Sequence, residues 1–195
     1  MTRARRAGYA RVVSSRALSI LALLVLAAPA CAAEPGRTEA AGLRFGVPSA
    51  WARVPAPSDV RAAQWRIPRA GSDAEDGELV LFHFGKGKGG SAEENLERWY
   101  GQFTEPDGRP AKDAAVVTIR TVRGLRVTEV DLPGTYTGAG MGGPPPGPKP
   151  GSRLLGAVIE GGDGPWFFRA IGPDATVAAA RADFEALLAS VDAHH

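Results

Sequence analysis

The sequence predicts an α+β domain with a mainly antiparallel sheet, preceded by an export signal. Short segments with a strand pattern recur between residues 43 and 171, and Gly- or Pro-containing turns separate them. Only two segments have the helical period, and no strand–helix–strand repeat follows from their order. We therefore expect a single domain over residues 43–192, built mostly from hairpins.

The strand predictions depend on apolar periodicity. In Arg61–Ile67, alternate residues are apolar, which indicates a strand with one buried face. Leu79–Phe84 and Arg153–Glu160 are apolar on both faces, as in central strands that are covered on both sides, so the helices are expected to flank the sheet. The other predicted strands are Leu43–Pro48, Trp51–Val54, Val116–Arg123, Leu125–Leu132 and Trp166–Ile171.

Two helices are predicted, at about Ser91–Phe103 and about Asp174–Val191. Ser91 and Glu94 have the spacing of a capping box, in which two side chains bind backbone donors at the start of a helix. The expected buried stripe of the first helix is Leu96, Trp99, Tyr100 and Phe103. That of the second is Val177, Ala180, Phe184, Leu187, Leu188 and Val191.

The N-terminus has the order of a signal peptide. Five arginines and no acidic residue precede an apolar run at 17–28, and small residues follow it. Residues 1–33 are therefore assigned to a signal peptide and 34–42 to a tether. An uncleaved membrane anchor is the alternative, although the run is shorter than the ~20 residues of a spanning helix. The pair Arg5-Arg6 leaves twin-arginine export open.

Cys31, the only cysteine, follows the apolar run. This position suggests a lipobox, in which a lipidated cysteine becomes the first mature residue, although the preceding residues 28–30 match that motif only in part. An ordinary cut after Ala30 or Ala32 is the alternative. The protein is thus expected in the periplasm, on a membrane as a lipoprotein, or outside the cell.

A resemblance to PsbP-like domains covers most of residues 42–192. Gly42–Pro48 followed by Trp51, the amphipathic helix in the middle of the chain, the hairpin strands, and Gly172-Pro173 before the last helix resemble that family in pattern and order. The resemblance implies an α-β-α sandwich with a curved antiparallel sheet. It also implies a domain that binds or assists other proteins and is usually not an enzyme. No site motif of the family is matched, so it assigns no functional residue.

The Gly-rich segment 85–91 is the first candidate site. It lies between a predicted strand and a predicted helix, and Gly85, Gly87 and Gly90 satisfy a G-x-G-x-x-G spacing. A dinucleotide site would also need a following parallel strand with an acidic residue near its end, and the next strand ends without one. We therefore expect a helix-capping loop that contacts anions weakly, through Lys86, Lys88, Gly90 and Ser91.

The Gly- and Pro-rich segment 138–152 is predicted to be a mobile loop, since it cannot form a helix or a central strand. The alternative is a polyproline ligand for an aromatic groove of another protein.

Catalytic and metal motifs are not evident. His83 is the only histidine inside the predicted fold, and no serine lies in a G-x-S-x-G elbow. Three or four convergent ligands are needed for a metal site, so no metal and no cofactor are expected. Glu129 and Asp131 are expected to be solvated, and they share one face of a strand with Val127, which indicates a polar patch.

Two functional hypotheses remain. The first is a non-catalytic, protein-binding or accessory module whose partner is an unknown envelope protein. The alternative is a small-ligand or anion binder, or a hydrolase, that uses the region 85–91. A pocket joining His83, Arg169 and a carboxylate would favour the second, and an exposed apolar patch without a polar pocket would favour the first. The full chain has a net charge of +2, and the five arginines of the signal peptide contribute +5 to it. Without the signal peptide the mature domain is therefore negatively charged, so nucleic acid is not an expected partner.

Overall fold

The computed structural model describes residues 36–105, 107, 109–138 and 147–193 and shows eleven strands, three α-helices and one 3₁₀ turn in them. The signal peptide, Cys31 and the terminal histidines lie outside the described residues. The strands are β1 (Gly36–Ala40), β2 (Leu43–Val47), β3 (Ala52–Val54), β4 (Arg61–Ile67), β5 (Gly77–His83), β6 (Phe103–Thr104), β7 (Val116–Val122), β8 (Leu125–Tyr136), β9 (Lys149–Glu160), β10 (Trp166–Pro173) and β11 (Asp192–Ala193). The helices are α1 (Ala92–Tyr100), α2 (Asp174–Ala179) and α3 (Arg181–Ala189), and the 3₁₀ turn is Ala111–Ala114.

The main sheet has the order β3-β4-β5-β10-β9-β8-β6, and β7 pairs with β8 beside β6. Every strand pair in the described residues is antiparallel. The hairpins β7–β8 and β9–β10 follow the pattern expected from Gly124 and the turn at 161–164. The prediction of an α+β fold with a mainly antiparallel sheet is confirmed.

The central strands of the sheet are buried on both faces, as their doubly apolar sequences predicted. Along β9, Leu154 and Val158 belong to one hydrophobic cluster, and Leu155, Ala157 and Ile159 belong to another. The first, called the α1 cluster, contains Ala92, Leu96 and Trp99 of α1. The second, called the α3 cluster, contains Val177, Phe184, Leu187 and Leu188 of the C-terminal helices.

Helix α1 begins as its sequence predicts. The backbone N–H of Glu94 donates to Ser91 Oγ at 3.2 Å, and the N–H of Ser91 donates to Glu94 Oε2 at 2.8 Å, which completes the capping box. The helix ends earlier than predicted, at Tyr100. Phe103 lies in β6 and is nevertheless buried in the α1 cluster, whereas Tyr100 is only partly buried against it. Three of the four residues of the predicted stripe are therefore buried, and one of these three is not helical.

The C-terminal helix was predicted as one element and is two. Ala180, at φ −79° and ψ −4°, separates α2 from α3. Helix α2 contacts β9 and β10, whereas α3 contacts β2, so the break lets two short helices follow different parts of the sheet. All six residues of the predicted apolar stripe are buried.

Two predicted connections are shorter than expected. Within the predicted tether, Gly36–Ala40 forms β1, which pairs with β2 and extends a small sheet that also contains β11. Within the predicted loop 138–152, Lys149–Ser152 already belongs to β9, and Ser152 pairs with both Gly134 and Pro173. Residues 139–146 of that loop lie outside the described residues.

In the described part of the chain, none of the helices is long and apolar enough to cross a membrane.

Candidate functional site

The Gly-rich loop lies between β5 and α1, as predicted, but its four candidate residues do not share one hollow. Lys86, Gly90 and Ser91 line a hollow of about 320 Å³ together with Glu160. Lys88 lines a second hollow beside Phe84 and Arg98. The neighbours of β5 are β4 and β10, both antiparallel, so the loop does not belong to a parallel dinucleotide-binding unit.

The start of α1 is already occupied by a carboxylate of the chain itself. Glu94 Oε2 accepts the N–H of Ser91 and lies 2.6 Å from the place where a Cβ on Gly90 would be. Glu93 is also in the first turn. An external anion at this helix terminus would have to compete with these charges, so any anion contact would depend on Lys86. Anion binding here stays a prediction.

His83 is half-buried at the end of β5 and contacts the α3 cluster. Its ring stacks on Trp166, with 5.1 Å between the ring centroids, and Nδ1 lies 3.1 Å from the carbonyl oxygen of Pro165. These contacts fit a histidine with a structural role. Among the residues that the structure describes, no three His, Cys, Asp or Glu side chains converge to hold a metal.

Glu129 and Asp131 both lie on β8, but Asp131 is buried and not solvated as expected. The carboxylate of buried Asp131 accepts from Arg153 Nη1 at 2.8 and 2.9 Å, and Arg181 Nη2 contacts Asp131 Oδ2. Arg153 Nε also donates to Asp174 at 2.7 Å, which joins β8, β9 and α2 in one ion-pair network. The sequence offered no signal for this network, because Arg153 and Arg181 are distant from Asp131 along the chain.

Glu129 lines a small cavity of about 160 Å³ between β7, β8 and α3. Burial raises the pKa of its carboxyl, and the guanidinium of Arg120, 2.5 Å away, opposes that rise. The carboxylates of Asp131 and Glu129 are therefore both paired with arginines of the same chain. Such pairing is typical of a structural ion-pair network and not of two carboxylates that act together in catalysis.

A groove of about 630 Å³ lies beside β4, β5, β10 and the first residues of β9. Buried Arg169 lines it and donates to Tyr136 Oη at 3.0 Å. Arg61 also lines it and donates to Glu78 at 3.1 Å. A pocket that joins His83, Arg169 and a carboxylate would have favoured a ligand site. The groove contains Arg169 and a carboxylate but not His83, so it meets this criterion only in part. Sequence reasoning missed Arg61 and Tyr136, which the sheet brings together from distant segments.

The exposed apolar residues concentrate on β7. Three of its side chains, Val116, Val117 and Ile119, are 61%, 43% and 56% exposed. Among the strands of the described residues, β7 pairs with β8 alone, so its outer edge has no strand beside it. We call this edge, residues 116–122, the β7 edge. It satisfies the apolar part of the criterion for a binding module, but not the absence of a polar pocket, because the small cavity lined by Arg120, Glu129 and Asp131 opens beside it.

No family model matches the chain, and no curated protein matches its sequence. Among solved structures, the chain is similar to the cyanobacterial PsbP (CyanoP) of Synechocystis sp. PCC 6803, with a TM-score of 0.51 and 15% identity over 88% of this chain and 99% of that chain. It is also similar to PA94, a protein of unknown function from Pseudomonas aeruginosa, with a TM-score of 0.47 and 12% identity over 83% of this chain and 98% of that one. At such identities the CyanoP likeness concerns architecture alone, and it establishes that this chain has a PsbP-like fold, as the resemblance in its sequence predicted.

Proposed function

We propose that this protein is an exported accessory module of the cell envelope, which acts by binding protein and not by catalysis. The observation that supports this proposal is the β7 edge. An unpaired strand edge presents a row of backbone N–H and C=O groups that another strand can bind. On β7 that row is flanked by exposed apolar side chains on both faces.

The β7 edge lacks the usual protection of an exposed strand. Proline, several charges, a bulge or very short length commonly prevent such edges from binding other strands. Strand β7 has seven residues, no proline, and a regular register with β8. Its one charged residue, Arg120, is ion-paired with Glu129 of β8. An edge with these properties suits a protein that pairs with a strand of a partner.

Other features are consistent with this role. The resemblance to PsbP-like domains implies a domain that binds or assists other proteins, although a fold does not by itself determine a function. We also propose that the helices cover the two faces of the sheet as in an α-β-α sandwich, which would leave the strand edges as the exposed sheet surface. The N-terminal pattern would export the domain, either released or attached through Cys31.

Site-specific photocrosslinking in intact cells tests the proposal. A photoreactive amino acid at position 119 is expected to form an adduct with a protein, since Ile119 lies in the middle of the β7 edge. The matched control is position 60, because Val60 is similarly exposed, at 53%, but lies outside the strands. Adducts that are absent, or equally abundant at both positions, would contradict binding through the β7 edge.

A small-ligand binder is the second candidate function, and the groove at Arg169 and Tyr136 favours it. An arginine and a phenol hydroxyl in an open groove with a partly apolar lining suit a ligand with a carboxylate and an apolar body. We expect small carboxylates that bind there to raise the melting temperature of the protein. Tyr136→Phe, which removes only the hydroxyl, is expected to reduce that shift, and an unchanged shift would place the ligand elsewhere.

The Gly-rich loop is a less favourable place for a ligand-binding or hydrolytic site than the groove, because the carboxylate of Glu94 already caps the helix there. Phosphate titration of the protein and of Lys86→Gln tests the anion site, and Lys88→Gln is the matched control because Lys88 lines a different hollow. A screen with hydrolase substrates tests the catalytic version.

A further inference from the structure

The sequence of the β7 edge is compatible with pairing to itself. It reads Val-Val-Thr-Ile-Arg-Thr-Val, and Ile119 is its central residue. We propose that the protein strand bound at the β7 edge is the β7 edge of a second copy of this chain, antiparallel, with a two-fold axis through Ile119. This inference rests on the proposed function, since both require that the β7 edge binds protein.

On one face, this register brings uncharged side chains together. Val117, Ile119 and Thr121 lie opposite Val130, Thr128 and Arg126 of β8, so they share the face that carries the α1 cluster. Across the two-fold axis, Ile119 would meet its own counterpart, and Val117 would meet Thr121 of the other copy. Pairs of β-branched residues directly opposite each other stabilise antiparallel strands.

On the other face, the register keeps the charged residues apart. Val116 would lie opposite Val122 of the other copy, and Thr118 would lie opposite Arg120. The two copies of Arg120 would therefore be offset along the strand by two residues, or about 7 Å. Each would also keep its ion pair with Glu129 of its own chain.

Other centres for the two-fold axis are less favourable. An axis through Arg120 would place two guanidinium groups directly opposite each other, and like charges in that position destabilise a strand pair. An axis through Thr118 would pair only residues 116–120 and leave Val122 without a counterpart in the other β7. The axis through Ile119 is the one that uses all seven residues of the strand.

The resulting contact would be symmetric and closed. Both copies would contribute the same edge, so the pairing of two chains consumes both edges and does not propagate into a fibre. This would account for an edge that lacks the usual protective features in a native sheet. The product would be one continuous sheet that extends across two copies of the domain.

The oligomeric state of the full chain gives the first test. Sedimentation of the purified protein across a concentration series is expected to show a monomer–dimer equilibrium. Ile119→Lys is expected to weaken association at least about tenfold, because two ammonium groups would face each other at the axis. Val60→Lys is the control and is expected to leave the equilibrium unchanged. Circular dichroism verifies that each variant is folded, which is expected because both positions are exposed.

Cysteine crosslinking tests the register, in a background where Cys31 is replaced by Ser. Ile119→Cys is expected to form a disulfide dimer, since directly opposed residues in antiparallel strands have Cα atoms about 4.5–5.5 Å apart. Thr121→Cys is not expected to form a disulfide dimer, since the two copies of residue 121 would be about 13 Å apart along the strands. A mixture of Val117→Cys and Thr121→Cys chains is expected to form the mixed dimer.

The outcomes distinguish this inference from the proposed function. A folded chain that stays monomeric at all concentrations, while position 119 crosslinks to a different protein in cells, would overturn the self-pairing and leave the protein-binding proposal standing. A monomeric chain with no adduct at position 119 would overturn both. Equal disulfide formation at positions 119 and 121 would overturn the proposed register.

Discussion

At the scale of single residues, β8 shows how two neighbouring carboxylates acquire different surroundings. Asp131 is buried and bound by Arg153 and Arg181, whereas Glu129 is ion-paired with Arg120 beside a small cavity. The sequence predicted that both acids share a face, because residues two apart in a strand do so. It could not predict the arginines, since Arg153 and Arg181 reach Asp131 only after distant segments have packed.

Glu129 leads to a prediction about pH. Burial raises its pKa above the unfolded value of about 4.3, so its ionised form destabilises the folded state. That penalty is absent below the unfolded pKa, accumulates as the pH rises towards the folded pKa, and is complete above it. Glu129→Gln removes the titration. We therefore expect the stability of the wild-type protein relative to this variant to fall as the pH rises from about 4 towards neutrality.

Urea unfolding of both proteins across that pH range measures the difference. Its pH dependence is the informative quantity, because Glu129→Gln also weakens the contact with Arg120 and so changes the stability at every pH. A relative stability that rises with pH would show that the ion pair with Arg120 outweighs burial.

Trp99 and Phe184 lead to a prediction about packing. Both were predicted to be buried on the inner faces of their helices, and both are, in the α1 cluster and the α3 cluster respectively. The ring of Trp99 lies over Gly156 of β9, where an added Cβ would be 2.5 Å from Cζ3. Replacing either aromatic residue by Ala is expected to lower the free energy of unfolding by about 3–5 kcal/mol.

Chemical denaturation measures these losses. Tyr100→Ala is the control for α1, because Tyr100 adjoins Trp99 but is only partly buried. A loss below about 1 kcal/mol for Trp99→Ala would contradict the close packing of its ring on the sheet.

At the scale of elements, local patterns predicted eight of the eleven strands and missed β1, β6 and β11. β4, β5, β7, β8, β9 and β10 were all predicted, because their alternating or doubly apolar residues and bounding glycines are local signals. β1 is mostly exposed and polar, and β11 has two residues, so neither shows periodicity. They form because both pair with β2, and the pairing of Asp192 with Arg44 joins the two ends of the domain.

The break at Ala180 had no local signal either. Ala178, Ala179 and Ala180 are good helix formers without a glycine or proline, so the sequence favoured one continuous helix. In the structure, Thr176 is buried and its backbone and hydroxyl both donate to Asp73 Oδ2 at 2.7 Å. These contacts attach α2 to the connection between β4 and β5, while α3 packs on β2. Tertiary packing therefore decided where the helix breaks.

The connection between β8 and β9 allows a prediction at this scale. Shortening residues 139–146 to a few glycines is expected to leave the melting temperature nearly unchanged, because the entropy of loop closure varies slowly with length. Deleting Lys149–Ser152 is the matched comparison. It is expected to destabilise the domain, because these residues begin β9 and pair with β8 and β10.

Thermal unfolding of the two deletions distinguishes them. A large loss for the 139–146 deletion would show that this segment packs on the domain. It would also strengthen the case that the segment contributes to function.

At the scale of the whole molecule, the fold class could be predicted from the sequence, but the candidate site could not. The residues of β7 were correctly assigned to a hairpin strand, and nothing in their order shows that this strand lies at an edge. Edge position depends on the order of all the strands, and that order is set by β8 pairing with β9 on its other side. The groove at Arg169 could not be predicted either, because Arg61, Tyr136 and Arg169 come together only in the assembled sheet.

Export is the last prediction and concerns the complete chain. The arginines, the apolar run at 17–28 and the small residues at 28–32 predict removal of about the first 30 residues during export. Mass spectrometry of the native protein is expected to show a chain without Met1. A diacylglycerol adduct on Cys31 would identify a lipoprotein, and a cut after Ala32 would remove that cysteine altogether. In Cys31→Ser, a lipoprotein would lose processing and a conventionally cleaved protein would keep it, so the variant distinguishes the two routes. An intact chain with Met1 in the cytoplasm would contradict export and, with it, the proposed role in the envelope.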